Sequence, residues 1–123
     1  MFDAADKKEP KDTAAMRLHN EKMFEYYSKT IQADAKYDPA YNGIANYYIT
    51  KGNAYLTAAD AVPLERDAEY KALKAKAVEE YKKAIDSLEK AWALRKAESY
   101  KKVLIALYEK TGQPDKKKAL ESQ

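Results

Sequence analysis

Side chains that could carry out acid–base or metal chemistry are few and scattered in this chain of 123 residues. His19 is the only histidine and there is no cysteine, so thiolate nucleophiles and metal sites built on several His or Cys ligands are excluded. Glu79 and Glu80 form a carboxylate pair, but two lysines follow at positions 82 and 83, which is typical of a solvated helix face. Phosphate-binding glycine loops, dinucleotide fingerprints and HExxH zinc motifs do not occur in the sequence. We therefore predict no catalytic residue, no metal, no cofactor and no enzymatic activity.

The composition favours one helical domain. Hydrophobic residues make up 46% and charged residues 35%, while 3 Gly and 4 Pro are too few turn residues for a many-stranded sheet. No apolar run reaches the roughly 20 residues of a membrane-spanning helix. The first residues do not have the pattern of a secretory signal. This does not assign a compartment. The protein is either cytoplasmic, or periplasmic with a signal that has been removed.

Proline and glycine positions predict the helix boundaries. Residues 1–11 are expected to form a flexible leader, with a single domain over residues 12–123. A first helix is expected from Asp12-Thr13 to residue 33, and a second from Asp38, as N-cap before Pro39, to residue 62. The remaining helices are expected at residues 67–96, 98–111 and 114–121, with Gly112 as the residue just past the fourth helix. Short connections between helices predict antiparallel neighbours and an all-α fold with four main helices and a short C-terminal one.

Tyrosine is unusually frequent, with 11 residues. Four of them lie on the apolar stripes and are expected in the core with their hydroxyl groups at its rim: Tyr41, Tyr48, Tyr81 and Tyr108. Trp92 is one position off its stripe, which places it at the boundary of the third and fourth helices or makes it a contact anchor. Gly52 costs the second helix about 1 kcal/mol relative to Ala, so the helix either bends there or continues.

Two halves of the chain match each other. Tyr27 pairs with Leu88 at an offset of 61, and Ile44 and Tyr48 pair with Leu104 and Tyr108 at an offset of 60. Self-similarity of this kind indicates stacked helical units that cannot bury their apolar faces alone.

The second helix reads Tyr41-x2-Ile44-Ala45-x2-Tyr48, and the third reads Ala84-x3-Leu88-x2-Ala91. With these motifs the chain resembles the tetratricopeptide repeat (TPR) family over about residues 18–120. The resemblance implies helical hairpins stacked as a right-handed repeat. The repeat offset of 61 exceeds the family's 34 residues by 61−34 = 27, which implies a longer central hairpin with Pro63-Leu64-Glu65 at its tip.

The resemblance also implies a function. In TPR proteins the first helix of each pair lines a concave groove that takes a peptide or a partner helix. Transferred to this chain, that face comprises Asn42, Asn46, Ile49 and Thr50 on the second helix and Lys101 and Lys102 on the fourth. We therefore expect a non-enzymatic scaffold or adaptor that binds a protein segment.

Two alternatives stay open at this stage. One is a structural unit that forms a homo-oligomer or belongs to a larger TPR protein, because few repeats leave apolar edges exposed. The other is a helical domain that binds nucleic acid through its lysines. The net charge of +3 with interspersed Lys and Glu does not favour this second alternative.

Overall fold

The computed structural model describes the backbone of residues 3–123 and the side chains of residues 18–123. Within that range the chain forms five helices and no strand, which confirms the all-α prediction. The helices are α1 (Asp3–Ala33), α2 (Asp38–Asp60), α3 (Asp67–Leu94), α4 (Glu98–Lys110) and α5 (Pro114–Glu121). None of them is long and apolar enough to cross a membrane.

The helices pack in chain order. The most extensive contact joins α2 and α3, and α1 packs on α2, α4 on α3 and α5 on α4. A Cβ atom placed on Gly43 would overlap the ring of Tyr27 from α1, whereas one placed on Gly52 would lie 2.7 Å from the ring of Tyr81 from α3. Gly43 and Gly52 are nine residues apart, which at about 100° per residue corresponds to roughly two and a half turns. The two glycines therefore face opposite directions, and α1 and α3 lie on opposite sides of α2.

The core lies between α2, α3, α4 and α5. Tyr81, Leu88 and Leu104 are its largest fully buried side chains. Three alanines at 45, 84 and 91 are also completely buried, and their small side chains let the helix axes approach closely. Trp92 is half-buried and packs against this cluster, as expected for a residue at the helix boundary.

Gly52 does not interrupt α2, which continues to Asp60. The glycine is buried, and the absence of a side chain leaves room for the Tyr81 ring against the α2 backbone. Gly112 is found just past α4 with φ of 68°, as predicted. The amides of Gln113 and Gly112 donate to the carbonyls of Tyr108 and Glu109, which closes the helix end as a Schellman motif.

Several predicted helix boundaries differ from the structure. The second helix ends at Asp60 instead of residue 62, and the fourth ends at Lys110 instead of residue 111. The first helix begins at Asp3 rather than at Asp12-Thr13, since the residues before Asp12 include strong helix formers such as Ala, Lys and Glu. Residues 1 and 2 of the predicted leader lie outside the described residues. The N-cap of α2 is Tyr37 instead of Asp38. The Asp38 carboxylate does not cap the helix, because it accepts a hydrogen bond from the hydroxyl of Tyr100 in α4. Lastly, α3 ends at Leu94 instead of residue 96.

Candidate protein-binding surfaces

A groove runs along α2 between α1 and α3, and we call it the tyrosine groove. Its floor consists of Tyr41, Ile44 and Tyr48 of α2, and its cavity volume is about 500 Å³. Ile31 of α1 lies on one wall, and Lys83 and Lys90 of α3 lie on the other. The groove exists because α1 and α3 contact opposite sides of α2 and so leave this part of its surface open to solvent.

Hydrogen bonds fix the floor of the tyrosine groove. The Tyr41 hydroxyl donates to the carbonyl of Ala35 (3.1 Å), and Ser87 Oγ donates to the carbonyl of Tyr41 (2.7 Å). The Tyr48 ring meets Phe24 of α1 edge to face, with the ring centroids 5.8 Å apart. These contacts hold the floor in one conformation before any ligand arrives.

The α3 wall carries alternating charges. Lys83, Asp86 and Lys90 line the groove at intervals of three and four residues, so they lie on one helix face. Lys83 Nζ lies 5.6 Å from the centroid of the Tyr48 ring and 3.6 Å from Glu80 Oε2. Glu80 is buried, and its Oε1 has no hydrogen-bond partner among the described residues. The three charged side chains that line the wall sum to 2−1 = +1. Because Glu80 offsets the charge of Lys83, the positive charge of the wall is concentrated at Lys90.

The sequence-predicted asparagines occupy a different side of α2. Asn46 and Thr50 line a small cleft of about 160 Å³ that they share with Met23 and Tyr27 of α1. Asn42 is half-buried. Ile49 is half-buried and packs against the core, so it contributes to folding. We call the exposed part of this side, with Asn42, Asn46 and Thr50, the asparagine face.

The two predicted lysines of α4 have different surroundings. Lys101 is half-buried, and its Nζ donates to the carbonyl of Gln123 (3.2 Å) at the end of the chain. Lys102 is exposed. Among the side chains of residues 18–123, no hydrogen bond or ion pair joins either lysine to Asn42 or Asn46. The joint role of the six predicted residues in binding therefore stays a prediction.

A polar network joins the start of α2 to the start of α4. Asp38 Oδ2 accepts hydrogen bonds from the Tyr100 hydroxyl (2.5 Å) and from Arg95 Nε (2.9 Å). The hydrogen bond from Tyr100, helped by Arg95, holds the pKa of Asp38 below its ordinary value. Burial, reinforced by the Asp38 carboxylate, raises the pKa of the Tyr100 hydroxyl. The network fixes the entry of α2, from which the groove residues project.

The titratable side chains that the sequence analysis considered for chemistry lie in different surroundings. His19 and Glu79 are exposed, whereas Glu80 is buried, so the two carboxylates do not face a common space. No group of three or more His, Cys, Asp and Glu side chains within the described residues is arranged to hold a metal ion. The residues present around α2 are suited to binding through apolar, hydroxyl and charged contacts.

The sequence prediction did not identify the tyrosine groove. Tyr81 and Tyr108 are buried as expected, but Tyr41 and Tyr48 are half-buried and line the groove. Their positions on the apolar stripe were indistinguishable from those of core residues. A clue is present in Gly43 and Tyr47, which lie off that stripe and form the surface on which α1 packs.

Compared with models of known protein families, with curated proteins and with solved structures, the chain matches none of them.

Proposed function

We propose that this chain is a TPR-like, non-enzymatic interaction module that binds a protein segment along α2. The observation that carries the proposal is the tyrosine groove, in which Tyr41, Ile44 and Tyr48 stay accessible inside a folded domain. Aromatic residues beside aliphatic ones, with charged side chains at the rim, form the type of surface that proteins use for partner binding. The packing of each helix on its chain neighbours is consistent with a TPR-like stack.

The groove has room for about two helical turns of a ligand. Lys83 and Lys90 are seven residues apart, which corresponds to about 10 Å along α3. An amphipathic segment would place an aliphatic side chain on the floor between Tyr41 and Tyr48, and its acidic residues near the two lysines. Because hydrogen bonds already order Tyr41 and Ser87, little conformational entropy remains to be lost on binding.

The asparagine face supports a second docking mode for the same function. The resemblance to TPR proteins assigns ligand binding to this face, and the amides of Asn42 and Asn46 lie one turn apart on α2. Such amides can hydrogen-bond the backbone of an extended peptide. In each mode, substitutions of different residues weaken binding of the ligand, so one experiment separates the two modes.

The test is a selection of peptides from a displayed random library on the wild-type chain, followed by affinity measurements on variants. We expect Lys90→Glu and Ile44→Gln to weaken binding of the selected peptides about tenfold, with helicity unchanged. Lys82→Glu is the matched control, because Lys82 and Lys90 both lie four residues from Asp86 and only Lys90 lines the groove.

The variant Asn42→Ala/Asn46→Ala tests the other face in the same assay. Binding that is lost in this variant and kept in Lys90→Glu would assign the ligand to the asparagine face. If no peptide is selected, or if bound peptides tolerate every one of these variants, the interaction-module proposal is wrong.

A further inference from the structure

The hairpin of α2 and α3 ends in a tip with an exposed leucine. Leu64 follows Pro63 in the connection between the two helices, and 96% of its surface is exposed. The other large apolar side chains that are exposed in the described part of the chain, Leu18, Tyr26, Tyr37 and Leu94, range from 41% to 62%. Burial of so exposed a leucine in an apolar pocket lowers the free energy, because it removes apolar surface from water.

The tip is also acidic. Residues 60–69 contain four acidic side chains and one arginine, which gives a net charge of 1−4 = −3 in a chain whose overall charge is +3. Arg66 lies 3.6 Å from Glu69, and Lys71 lies 3.0 Å from Asp67, while Glu65 beside the leucine is exposed. Two of the four carboxylates therefore lie in ion pairs, and the tip presents an exposed leucine beside the carboxylate of Glu65.

The tyrosine groove has the complementary properties. Its floor is aromatic and aliphatic, and its volume of about 500 Å³ exceeds that of a leucine side chain. Lys83, Asp86 and Lys90 give its α3 wall a charge of 2−1 = +1, and since Lys83 is paired with Glu80, Lys90 is the cation that a ligand meets. Lys90 is exposed. An acidic residue beside an inserted leucine would meet Lys90 at the rim.

The tip of a chain cannot reach its own groove. Asp67 and Lys83 are 16 residues apart on the same helix, which corresponds to about 24 Å along α3. The complementary surfaces can therefore meet only between two molecules.

We propose that the Leu64 tip of one chain docks into the tyrosine groove of a second copy, in a head-to-tail contact. The inference rests on the proposed function, because it uses the same groove and names an occupant for it. A contact between two different surfaces leaves a free tip and a free groove at the ends of each pair, so it adds further copies as the concentration rises. The small area of a hairpin tip makes the contact weak and reversible.

The test is analytical ultracentrifugation of the full chain over a range of concentrations at low ionic strength. We expect the average mass to rise above the 14.0 kDa of the single chain, and the rise to diminish when salt is added. Leu64→Ser is expected to weaken the association by about tenfold or more, because it removes the inserted side chain. Leu18→Ser is the matched control, since Leu18 is an exposed leucine of α1 that lies outside both surfaces.

Charge reversal tests whether tip and groove are direct partners. Glu65→Lys and Lys90→Glu are each expected to weaken the association several-fold. The double variant Glu65→Lys/Lys90→Glu is expected to recover it, since each tip then meets a groove of opposite charge. Lys102→Glu examines the other basic region of the molecule and is expected to have a smaller effect than Lys90→Glu.

Three results would overturn the inference. They are a mass that stays at that of the single chain at every concentration, equal effects of Leu64→Ser and Leu18→Ser, and a loss on Lys102→Glu as large as that on Lys90→Glu. Peptide binding to Leu64→Ser separates this inference from the proposed function. If selected peptides still bind the groove of a chain that does not self-associate, only the head-to-tail contact is wrong.

Discussion

On each of two sides of α2, a tyrosine from a neighbouring helix packs against a glycine, but the two tyrosines differ in burial. On one side Tyr81 of α3 packs over Gly52, and on the other Tyr27 of α1 packs over Gly43. Tyr81 is 1% exposed because α3 is also covered by α4, whereas Tyr27 is half-buried because the described part of α1 packs extensively on α2 and on no other helix. A tyrosine–glycine contact therefore stabilises the domain more where further helices cover the ring. Since few residues cover the α1 side, a groove stays open beside α1.

The largest expected difference between the two sides concerns the repeat-related positions Leu88 and Tyr27. Leu88→Ala empties a fully buried site and is expected to lower the free energy of unfolding by about 3 kcal/mol. Tyr27→Ala removes a half-buried ring at the edge of the domain, so we expect a loss of about 1 kcal/mol and faster amide exchange in α1. Urea denaturation and hydrogen exchange measure these quantities. Equal losses at the two positions would show that α1 is as integral to the fold as α3.

The glycines themselves give the next largest effect. Gly52→Ala gains about 1 kcal/mol of helix propensity but forces a methyl group to within 2.7 Å of a buried ring, for an expected net loss of about 1–2 kcal/mol. In Gly43→Ala the half-buried Tyr27 ring can rotate into solvent, so we expect a smaller global loss and weaker docking of α1. Ala54→Gly at an exposed position of α2 calibrates the propensity contribution alone. Stabilisation by Gly52→Ala would contradict the close approach of Tyr81.

The helix positions were largely predictable, because their signals are local. Proline at 39, 63 and 114 and glycine at 112 restrict the backbone wherever they occur, and the helix ends near them match the structure within two residues. The start of α1 at Asp3 was not predicted, because residues that favour helix precede Asp12 and continue the helix toward the N-terminus. The groove was not predictable either, since periodicity identifies the apolar stripe of Tyr41, Ile44 and Tyr48 without indicating whether a neighbouring helix covers it. That depends on α1, which packs on the opposite side.

A smaller effect is expected at Asp38, which ties the α2 side of the core to α4. Asp38→Asn is expected to cost about 1–2 kcal/mol at neutral pH, because it weakens the hydrogen bonds from Tyr100 and Arg95. The folded-state pKa of Asp38 lies below its unfolded value of about 3.9, so its stabilisation is present above that value and is lost as the pH falls through the folded pKa.

Denaturation of Asp38→Asn and wild type across acidic pH checks this prediction. The difference in unfolding free energy should shrink below about pH 4, as wild-type Asp38 becomes protonated. Asp86→Asn, at an exposed position of α3, is the control. A difference that persists unchanged in acid would mean that the carboxylate charge does not stabilise the junction.

The smallest effect is expected from the variants of the groove rim. Lys90→Glu and Lys82→Glu are both substitutions of exposed side chains on α3, so each should change the unfolding free energy by no more than about 0.5 kcal/mol. Thermal and urea denaturation establish this before any binding experiment. A larger loss for Lys90→Glu alone would assign Lys90 a structural role and make it unsuitable as a probe of binding.

The measurement that tests the account most directly is an amide chemical-shift titration of the isotopically labelled chain with a peptide selected on the wild type. If the tyrosine groove is the binding site, the largest shifts will fall on Tyr41, Ile44 and Tyr48 of α2 and on residues 83–90 of α3, while Asn46 and Thr50 change less. Shifts centred on Asn46 and Thr50, with the α3 wall unaffected, would contradict it and assign binding to the asparagine face.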